Sequence, residues 1–131
     1  MTSLLQTPSR MTCRYCGVSQ PVTEFEVCRV FKGVSYRRRQ CKKCKQTAQG
    51  ERRKKLRRWL EEYKTTLFCE RCGFDDFRAL EFHHTGGKEK DFNIGDMVRL
   101  GLSVARIKEE IEKCTILCAN CHRIEHYDER Q

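Results

Sequence analysis

The stretch Cys118-Ala-Asn-Cys-His-Arg-Ile-Glu-His126 combines two metal-binding patterns within nine residues. Cys118 and Cys121 have the two-residue spacing that lets a tight turn aim two thiolates at one tetrahedral ion. His122 and His126 are four residues apart, so a helix presents both imidazoles on the same face, toward a second ion. The stretch therefore predicts the start of a helix that contributes ligands to two different metal sites.

Matching ligands lie well upstream of this stretch. Cys69-Glu-Arg-Cys72 supplies two more thiolates, and His83-His84 supplies two more imidazoles. The chain has four histidines, and all of them belong to this constellation. Neutral imidazoles bind a divalent ion well and leave coordination positions open for water and a phosphate oxygen. The pattern favours an open metal site suited to phosphodiester hydrolysis, beside a closed structural zinc site.

A chain of 131 residues that is 38% hydrophobic and 34% charged can bury little apolar surface. Structural zinc would supply the missing stability, because the energy of binding such an ion is also folding energy. Ten cysteines could instead mean a disulfide-rich secreted protein, but eight of them form four Cys-x-x-Cys pairs, which favours zinc. We predict no signal peptide and no membrane span, and hence a soluble protein of a reducing compartment.

A similar combination of cysteine pairs occurs near the N-terminus. Cys13-Arg-Tyr-Cys16 is followed by Gly17, and glycine tolerates the positive φ of a knuckle turn. The second pair is Cys41-Lys-Lys-Cys44. Between the two pairs, apolar residues alternate on both sides of a glycine turn, as expected for two short strands. We predict a zinc-ribbon-like hairpin over residues 13–45, preceded by a disordered N-terminus over residues 1–12.

Spacing alone does not decide how the four cysteine pairs combine. Intervals of 24 residues separate the first pair from the second and the second from the third. Turn signals in residues 17–40 allow a hairpin to bring its ends together, whereas a helix over 46–64 would hold its ends apart. Cys28 could replace one ligand of the upstream site, and Cys114 is interpreted as a small core residue. The two predicted structural zinc sites are Cys13, Cys16, Cys41 and Cys44, and Cys69, Cys72, Cys118 and Cys121.

Positive charge is concentrated between the cysteine motifs. The chain has 27 Lys and Arg against 18 Asp and Glu, and residues 29–58 hold most of the excess. A run of charged residues is often only a solvent-exposed face. Here the run is positive and lies beside zinc knuckles, which favours binding to a polyanionic partner. We predict a basic amphipathic helix over 46–66, whose apolar stripe Leu56, Trp59, Leu60 and Tyr63 packs on the downstream domain. The predicted contacts to DNA phosphates are Arg37, Arg38, Arg39, Lys42, Lys43, Arg52, Arg53, Lys54, Lys55, Arg57, Arg58, Lys88, Lys90 and Arg123.

The downstream region is predicted to contain strands and helices in alternation. Residues 79–84 alternate in the manner of a strand, and residues 94–100 form a short helix. Ser103 can cap the next helix, and residues 115–117 form a returning strand. The final helix starts near Asn120. The order is therefore strand, helical insertion, strand and helix.

The runs Leu80-Glu-Phe-His-His84 and Ile116-Leu-Cys-Ala-Asn-Cys-His-Arg-Ile-Glu-His126 resemble the HNH endonucleases of the ββα-metal type. The likeness is strongest to the phage and bacterial branch, in which a four-cysteine zinc site braces the motif. It covers about residues 67–127. Residues 13–45 resemble, more distantly, a small zinc module often found ahead of such domains. The resemblance implies that residues 67–131 form an HNH nuclease domain.

The resemblance also implies roles for individual side chains. His83, His122 and His126 match the ligands of one catalytic divalent ion, which could be Mg²⁺, Mn²⁺, Ni²⁺ or Zn²⁺. His84 matches the general base that takes a proton from the attacking water. The central asparagine of the family has no counterpart at its usual place. Asn120 is the candidate for its task of bracing the loop, or else serves as a helix N-cap.

The sequence thus predicts a small, zinc-stabilised α+β protein in the cytoplasm of a bacterial or phage-infected cell. It would consist of a zinc-ribbon-like hairpin, a basic linker helix and a ββα-metal nuclease domain. The first functional hypothesis is a metal-dependent HNH endonuclease that nicks or cuts DNA, leaving 5′-phosphate and 3′-hydroxyl ends. The alternative is a non-catalytic, zinc-dependent regulatory protein that binds DNA or RNA.

Overall fold

The computed structural model describes residues 9–85 and 93–131 of the chain. It divides into two compact units, Met1–Gly50 and Glu51–Gln131. Within the described ranges, six short strands pair into three antiparallel two-stranded sheets, accompanied by four α-helices. The predicted small α+β class is confirmed at this level. No helix among these residues combines the length and apolar character that crossing a bilayer requires.

The N-terminal unit contains two hairpins. The strand β1 (Arg10–Thr12) pairs with β2 (Ser19–Pro21), and β3 (Phe25–Phe31) pairs with β4 (Val34–Cys41). The turn between β3 and β4 consists of Lys32-Gly33, both at positive φ (47° and 77°). Two such residues match the twist of the flanking strands, which is why tight hairpins use them. A hairpin between the two cysteine pairs is thus present, as the alternation predicted.

The core of this unit is small and includes part of the predicted disordered segment. Phe25 is fully buried against Cys13 and Cys41, and Met11 packs on them from β1. The prediction of disorder over residues 1–12 is therefore wrong for Arg10–Thr12, because this short strand pairs with β2 and adds to the core. Residues 1–8 lie outside the described residues.

The helix α1 spans Lys42–Lys64, whereas the prediction was 46–66. It begins four residues early because the turn at Cys41 leads directly into the helix, with the Cys41 thiol accepting the backbone N–H of Cys44 at 3.4 Å. It ends where the hydroxyl of Thr65 turns back to the carbonyl of Glu62, at 2.6 Å. The second cysteine pair therefore lies at a junction, with Cys41 ending β4 and Cys44 in the first turn of α1.

The second unit is built around a two-stranded sheet. The strands β5 (Leu80–His84) and β6 (Cys114–Cys118) are antiparallel. Between them in sequence come α2 (Ile94–Leu100) and α3 (Val104–Ile111), and α4 (Ala119–Asp128) follows β6 without a loop. The predicted order of elements is confirmed, and the predicted ends of these strands and of α2 differ from the observed ones by at most one residue.

Local capping signals fix the two inserted helices. The side chain of Asn93 accepts the N–H of Gly95 at 3.2 Å, and the hydroxyl of Ser103 accepts the N–H of Arg106 at 3.3 Å. Gly101 ends α2 in the left-handed conformation, with φ of 71°. Such caps satisfy backbone groups that have no partner inside the helix. The prediction that Ser103 caps α3 is confirmed.

Two apolar clusters hold the second unit together. In the first, the stripe of α1 packs against α2 and α3, which confirms the predicted packing of that stripe. In the second, Leu80, Ile116 and Leu117 from the β5–β6 sheet pack around three cysteines, so the sheet is joined directly to a metal-binding group. Phe82 contacts both clusters. The buried members of the first cluster are Leu56, Ile94, Met97, Val98, Ile107 and Ile111.

Candidate metal centres and histidine cleft

Eight cysteines gather into two groups of four. The sulfur atoms of Cys13 and Cys44 are 3.8 Å apart, and those of Cys72 and Cys118 are 3.7 Å apart. Four thiolates placed about 2.3 Å from a tetrahedral zinc ion lie about 3.8 Å from one another, so both groups have the dimensions of a structural zinc site. No disulfide bond joins any of these eight cysteines. In each group all ligand atoms lie within 4.8 Å: Cys13, Cys16, Cys41 and Cys44, and Cys69, Cys72, Cys118 and Cys121.

The first pair of each group forms the same kind of turn. Gly17 follows one pair with φ of 70°, and Gly73 follows the other with φ of 79°. Gly17 donates its N–H to the carbonyl of Cys13 at 2.9 Å, and Gly73 donates to Cys69 at 2.8 Å. Positive φ is accessible to glycine without steric cost, which explains the glycine in both motifs. The turn aims both thiols of the pair into the site.

The second pair of each group lies where a strand passes into a helix. The thiol of Cys41 accepts the N–H of Cys44, and the thiol of Cys118 accepts the N–H of Cys121, each at 3.4 Å. A helix N-terminus carries a partial positive charge that stabilises thiolates. Both four-cysteine groups are therefore made of a glycine knuckle and a strand-to-helix junction.

Each group contains at least one thiol whose pKa is lowered, and in the first group the backbone hydrogen bond from Cys44 also lowers the pKa of Cys41. Burial opposes ionisation of Cys69, but hydrogen bonds from the backbone of Cys118 and Cys72 outweigh it and lower the pKa of the Cys69 thiol to about 6. Burial likewise opposes ionisation of Cys13, and backbone hydrogen bonds, led by that of Cys16, lower its pKa to about 6. The thiolate is the form that binds metal. In the same groups the neighbouring Cys41 thiol raises the pKa of Cys44 to about 12, and burial raises that of Cys121 to about 12. A bound cation would be needed to ionise all four thiols of either group.

The two remaining cysteines lie outside the groups. Cys28 is exposed in the β3–β4 hairpin, where its thiol donates to the carbonyl of Tyr36 at 3.3 Å. The alternative in which Cys28 replaces a ligand is not supported, because the four other cysteines already meet. Cys114 is only half-buried at the start of β6, with its thiol 3.4 Å from the carbonyl of Glu110. Its interpretation as a core residue is therefore wrong.

Three histidines converge, one from β5 and two from α4. The ring centre of His83 lies 5.1 Å from that of His122 and 4.9 Å from that of His126, and the last two are 4.5 Å apart. Each offers one ring nitrogen, and these atoms lie within 4.8 Å of one another. His83 is only 4% exposed, whereas His126 is open to solvent. The arrangement suits a three-nitrogen site with free coordination positions on its open side.

His84 lines the same cleft as these three histidines. The cleft has a volume of about 640 Å³. Nε2 of His84 is 2.9 Å from a carboxylate oxygen of Glu110, on α3. Glu110 is 4% exposed and also accepts from Nζ of Lys113 at 3.0 Å. The hydrogen bond from Lys113, more than that from His84, holds the pKa of Glu110 below its usual value. In the neutral tautomer whose Nε2–H donates to Glu110, Nδ1 of His84 is the nitrogen that can accept a hydrogen bond.

Two further carboxylates hold the histidine rings. Glu129 accepts from Nε2 of His83 at 2.9 Å and lies 3.2 Å from Nδ1 of His126. Glu81 is hydrogen-bonded to Nδ1 of His122. Carboxylates that bond to metal-binding histidines commonly fix their orientation and raise their basicity. Neither carboxylate was predicted from the sequence, although Glu81 is two positions before His83 and therefore on the same face of β5.

Asn120 does not act as the helix cap. It is exposed in the first turn of α4, whose N-cap is Cys118. The N-cap interpretation is therefore wrong, because the cysteine turn already supplies the cap. Glu70 braces the region instead: its N–H donates to the carbonyl of Ile116 at 2.8 Å, and its carboxylate accepts the N–H of Ile116 at 3.1 Å. A bracing role for Asn120 stays a prediction.

The predicted phosphate contacts are mostly exposed. Arg37 is an exception, because its guanidinium donates to the carbonyl of Phe25 at 2.7 Å and so supports the hairpin. Arg38 lies 3.6 Å from Glu26, and Lys54 forms an ion pair with Glu51 at 2.9 Å. Lys88 and Lys90 lie outside the described residues. The other predicted contacts, all exposed, are Arg39, Lys42, Lys43, Arg52, Arg53, Lys55, Arg57, Arg58 and Arg123.

Comparison of the chain with known protein families, with characterised proteins and with solved structures finds no match. What the chain does show is two four-cysteine groups that could hold structural metal ions such as zinc. Any function must therefore be inferred from the chemistry of the histidine cleft and of the basic surface, since function belongs to sites rather than to folds.

Proposed function

We propose that this protein is a metal-dependent HNH endonuclease that hydrolyses DNA phosphodiester bonds in the cytoplasm of a bacterial or phage-infected cell. The observation that carries the proposal is the convergence of three imidazoles, with a fourth, carboxylate-bound imidazole lining the same cleft. A purely structural site gains nothing from leaving coordination positions open, whereas hydrolysis requires them. The resemblance to HNH endonucleases assigns the same four histidines.

His83, His122 and His126 would hold one divalent ion, and three imidazole nitrogens suit Ni²⁺ or Zn²⁺ best. The resemblance to HNH endonucleases also allows Mg²⁺ or Mn²⁺, with water and phosphate oxygens as the remaining ligands. When bound, such an ion would polarise the scissile phosphate and stabilise the leaving 3′ oxygen. Glu81 and Glu129 would keep the three rings aimed at one point through the hydrogen bonds described above. The four-cysteine group of the second unit would fix the start of α4, and with it the direction of His122.

His84 would act as the general base. With Nε2–H donating to Glu110, Nδ1 would be available to accept a proton from the attacking water. Glu110 would be a positioning residue: it fixes the ring and stabilises the positive charge that His84 gains. Exposed basic side chains, including Arg57, Arg58 and Arg123, would bind phosphates on either side of the scissile bond.

Cleavage of supercoiled plasmid in the presence of Mg²⁺, Mn²⁺, Ni²⁺ or Zn²⁺ tests the proposal. The preparation should contain two tightly bound zinc ions per chain, measured by elemental analysis, before any catalytic metal is added. We expect nicked or linear product that carries 5′-phosphate and 3′-hydroxyl ends. DNA binding without cleavage under all four metals would contradict the endonuclease proposal.

That outcome would support the second candidate, a non-catalytic zinc-dependent regulatory protein that binds DNA or RNA. One observation favours it independently of the histidines. Residues 27–50 contain eight Lys and Arg and no Asp or Glu, so this part of the chain attracts polyanions whether or not the cleft is catalytic.

Replacing Glu110 with alanine should slow cleavage while leaving the zinc content at two ions per chain. Hydrogen bonds to charged groups contribute about 1.5–3 kcal/mol, which corresponds to a rate loss of about 10- to 150-fold. Glu110→Gln should recover part of the rate, because its amide oxygen can accept the same Nε2–H. The rates would be compared in single-turnover plasmid nicking.

Glu109→Ala provides the matched control, since it removes the same charge from the neighbouring, exposed position of α3. It should cleave at the wild-type rate. Wild-type activity in Glu110→Ala would show that Glu110 does not position His84.

A further inference from the structure

One face of the β3–β4 hairpin carries side chains that the proposed cleavage chemistry does not use. Arg29 pairs with Tyr36 across the two strands, and Phe31 pairs with Val34. Paired residues share a face and alternate residues return to it, so these four side chains lie together. We call them the hairpin face. Phe31 is 54% exposed and Tyr36 is 42% exposed.

All four side chains of the hairpin face are exposed in the part of the chain that the structure describes. Among the described residues of the N-terminal unit, the buried hydrophobic side chains are Cys13, Phe25 and Cys41, all at the other end of the hairpin. Val30, on the opposite face, is also 63% exposed. Large apolar side chains left together at a surface generally mark an interaction site. A two-stranded ribbon of this kind gains stability when a partner covers it.

Charge indicates what the partner is. The guanidinium carbon of Arg29 lies 4.8 Å from the ring centre of Tyr36 and 6.0 Å from that of Phe31, and Nζ of Lys32 lies 5.4 Å from the Phe31 ring. No acidic residue occurs between Glu26 and Glu51. A partner that offers negative charge and flat apolar groups within a few ångströms of each other would complement this face. A nucleic-acid strand offers both, as phosphates and bases.

We propose that the hairpin face binds unpaired nucleic-acid bases, which stack on Phe31 and Tyr36 while Arg29 and Lys32 contact the adjacent phosphates. Bases inside a duplex are stacked on one another and cannot lie flat on these rings. Alternating aromatic and basic side chains are how proteins bind single strands without reading their sequence. The proposal does not depend on the nuclease chemistry and holds equally for a non-catalytic protein.

Binding of a fluorescein-labelled 16-nucleotide oligo(dT) and of a 16-base-pair duplex to the full chain, followed by anisotropy without added divalent ions, tests the proposal. Stacking contributes about 1–3 kcal/mol per base, so Phe31→Ala should weaken oligo(dT) binding about 5- to 150-fold. Duplex affinity should change by less than about two-fold, because duplex binding uses phosphate contacts. Phe31→Leu keeps apolar bulk without the ring and should lose nearly as much.

Two variants control for general effects of substitution. Tyr15→Ala removes an aromatic side chain that is 70% exposed in the same unit but outside the hairpin face, and Val30→Ala removes apolar surface from the opposite side. Both should bind oligo(dT) as the wild type does. Wild-type affinity in Phe31→Leu, or equal losses for single strand and duplex, would overturn the proposal. So would a wild-type dimer in sedimentation that Phe31→Ala dissociates, since the face would then be an interface between copies of the chain.

Discussion

His84→Ala is expected to abolish plasmid cleavage while both zinc ions and DNA affinity remain. The side chain lines the cleft but belongs to neither four-cysteine group, and its contact is to Glu110 on α3. General bases contribute about 10²- to 10⁴-fold to reaction rates, so the loss should be at least about 100-fold. Single-turnover nicking gives the rate, elemental analysis the zinc content, and a filter-binding assay the affinity for DNA.

His122→Ala separates this role from that of a metal ligand. It should also be inactive, but for a different reason, because one of three ring nitrogens at the catalytic ion is lost. Calorimetric titration with Mn²⁺ should therefore show weakened metal binding in His122→Ala and near-normal binding in His84→Ala. Undiminished nicking by His84→Ala would exclude it as the base.

Cys72→Ser should lose one of two zinc ions and unfold the second unit. The free energy of binding structural zinc, about 10–16 kcal/mol in zinc-finger peptides, is comparable to the entire stability of a small domain, about 5–15 kcal/mol. The Cys69 group also forms part of the cluster that holds β5 against β6, so losing the ion removes packing as well. Zinc analysis and thermal melting monitored by circular dichroism would measure both effects.

Cys28→Ser is the matched control, because Cys28 is exposed and lies outside both groups. It should retain two zinc ions and melt like the wild type. A native melting curve for Cys72→Ser would mean that packing alone holds the second unit together.

Short-range signals account for what the sequence predicted well. Each Cys-x-x-Cys pair is a local turn, and the intervening turn or helix signals were enough to assign the pairs to the two groups that the structure brings together. Capping also depends on neighbours in sequence, so Ser103 and the end of α2 at Gly101 were predictable. The pattern grouped all four histidines in one expected metal site, and the resemblance to HNH endonucleases singled out His83, His122 and His126 as its ligands.

The contacts that were missed depend on long-range packing. Eighteen acidic residues are present, and nothing local distinguishes Glu110 or Glu129 from the rest until α3 and α4 are folded beside β5. The strand β1 has three residues, too few to show a period. The cap of α4 was missed because a thiol, Cys118, takes the place where an oxygen-bearing side chain is usual.

The adjacency of Cys121 and His122 on α4 has a consequence for newly synthesised protein. If the proposed zinc ion occupies the second four-cysteine group, it joins Cys121 to a knuckle about fifty residues upstream and so orients the adjacent His122. For the proposed endonuclease, newly made chains would then need zinc before they could hydrolyse DNA, and cellular zinc supply would limit how much active enzyme forms.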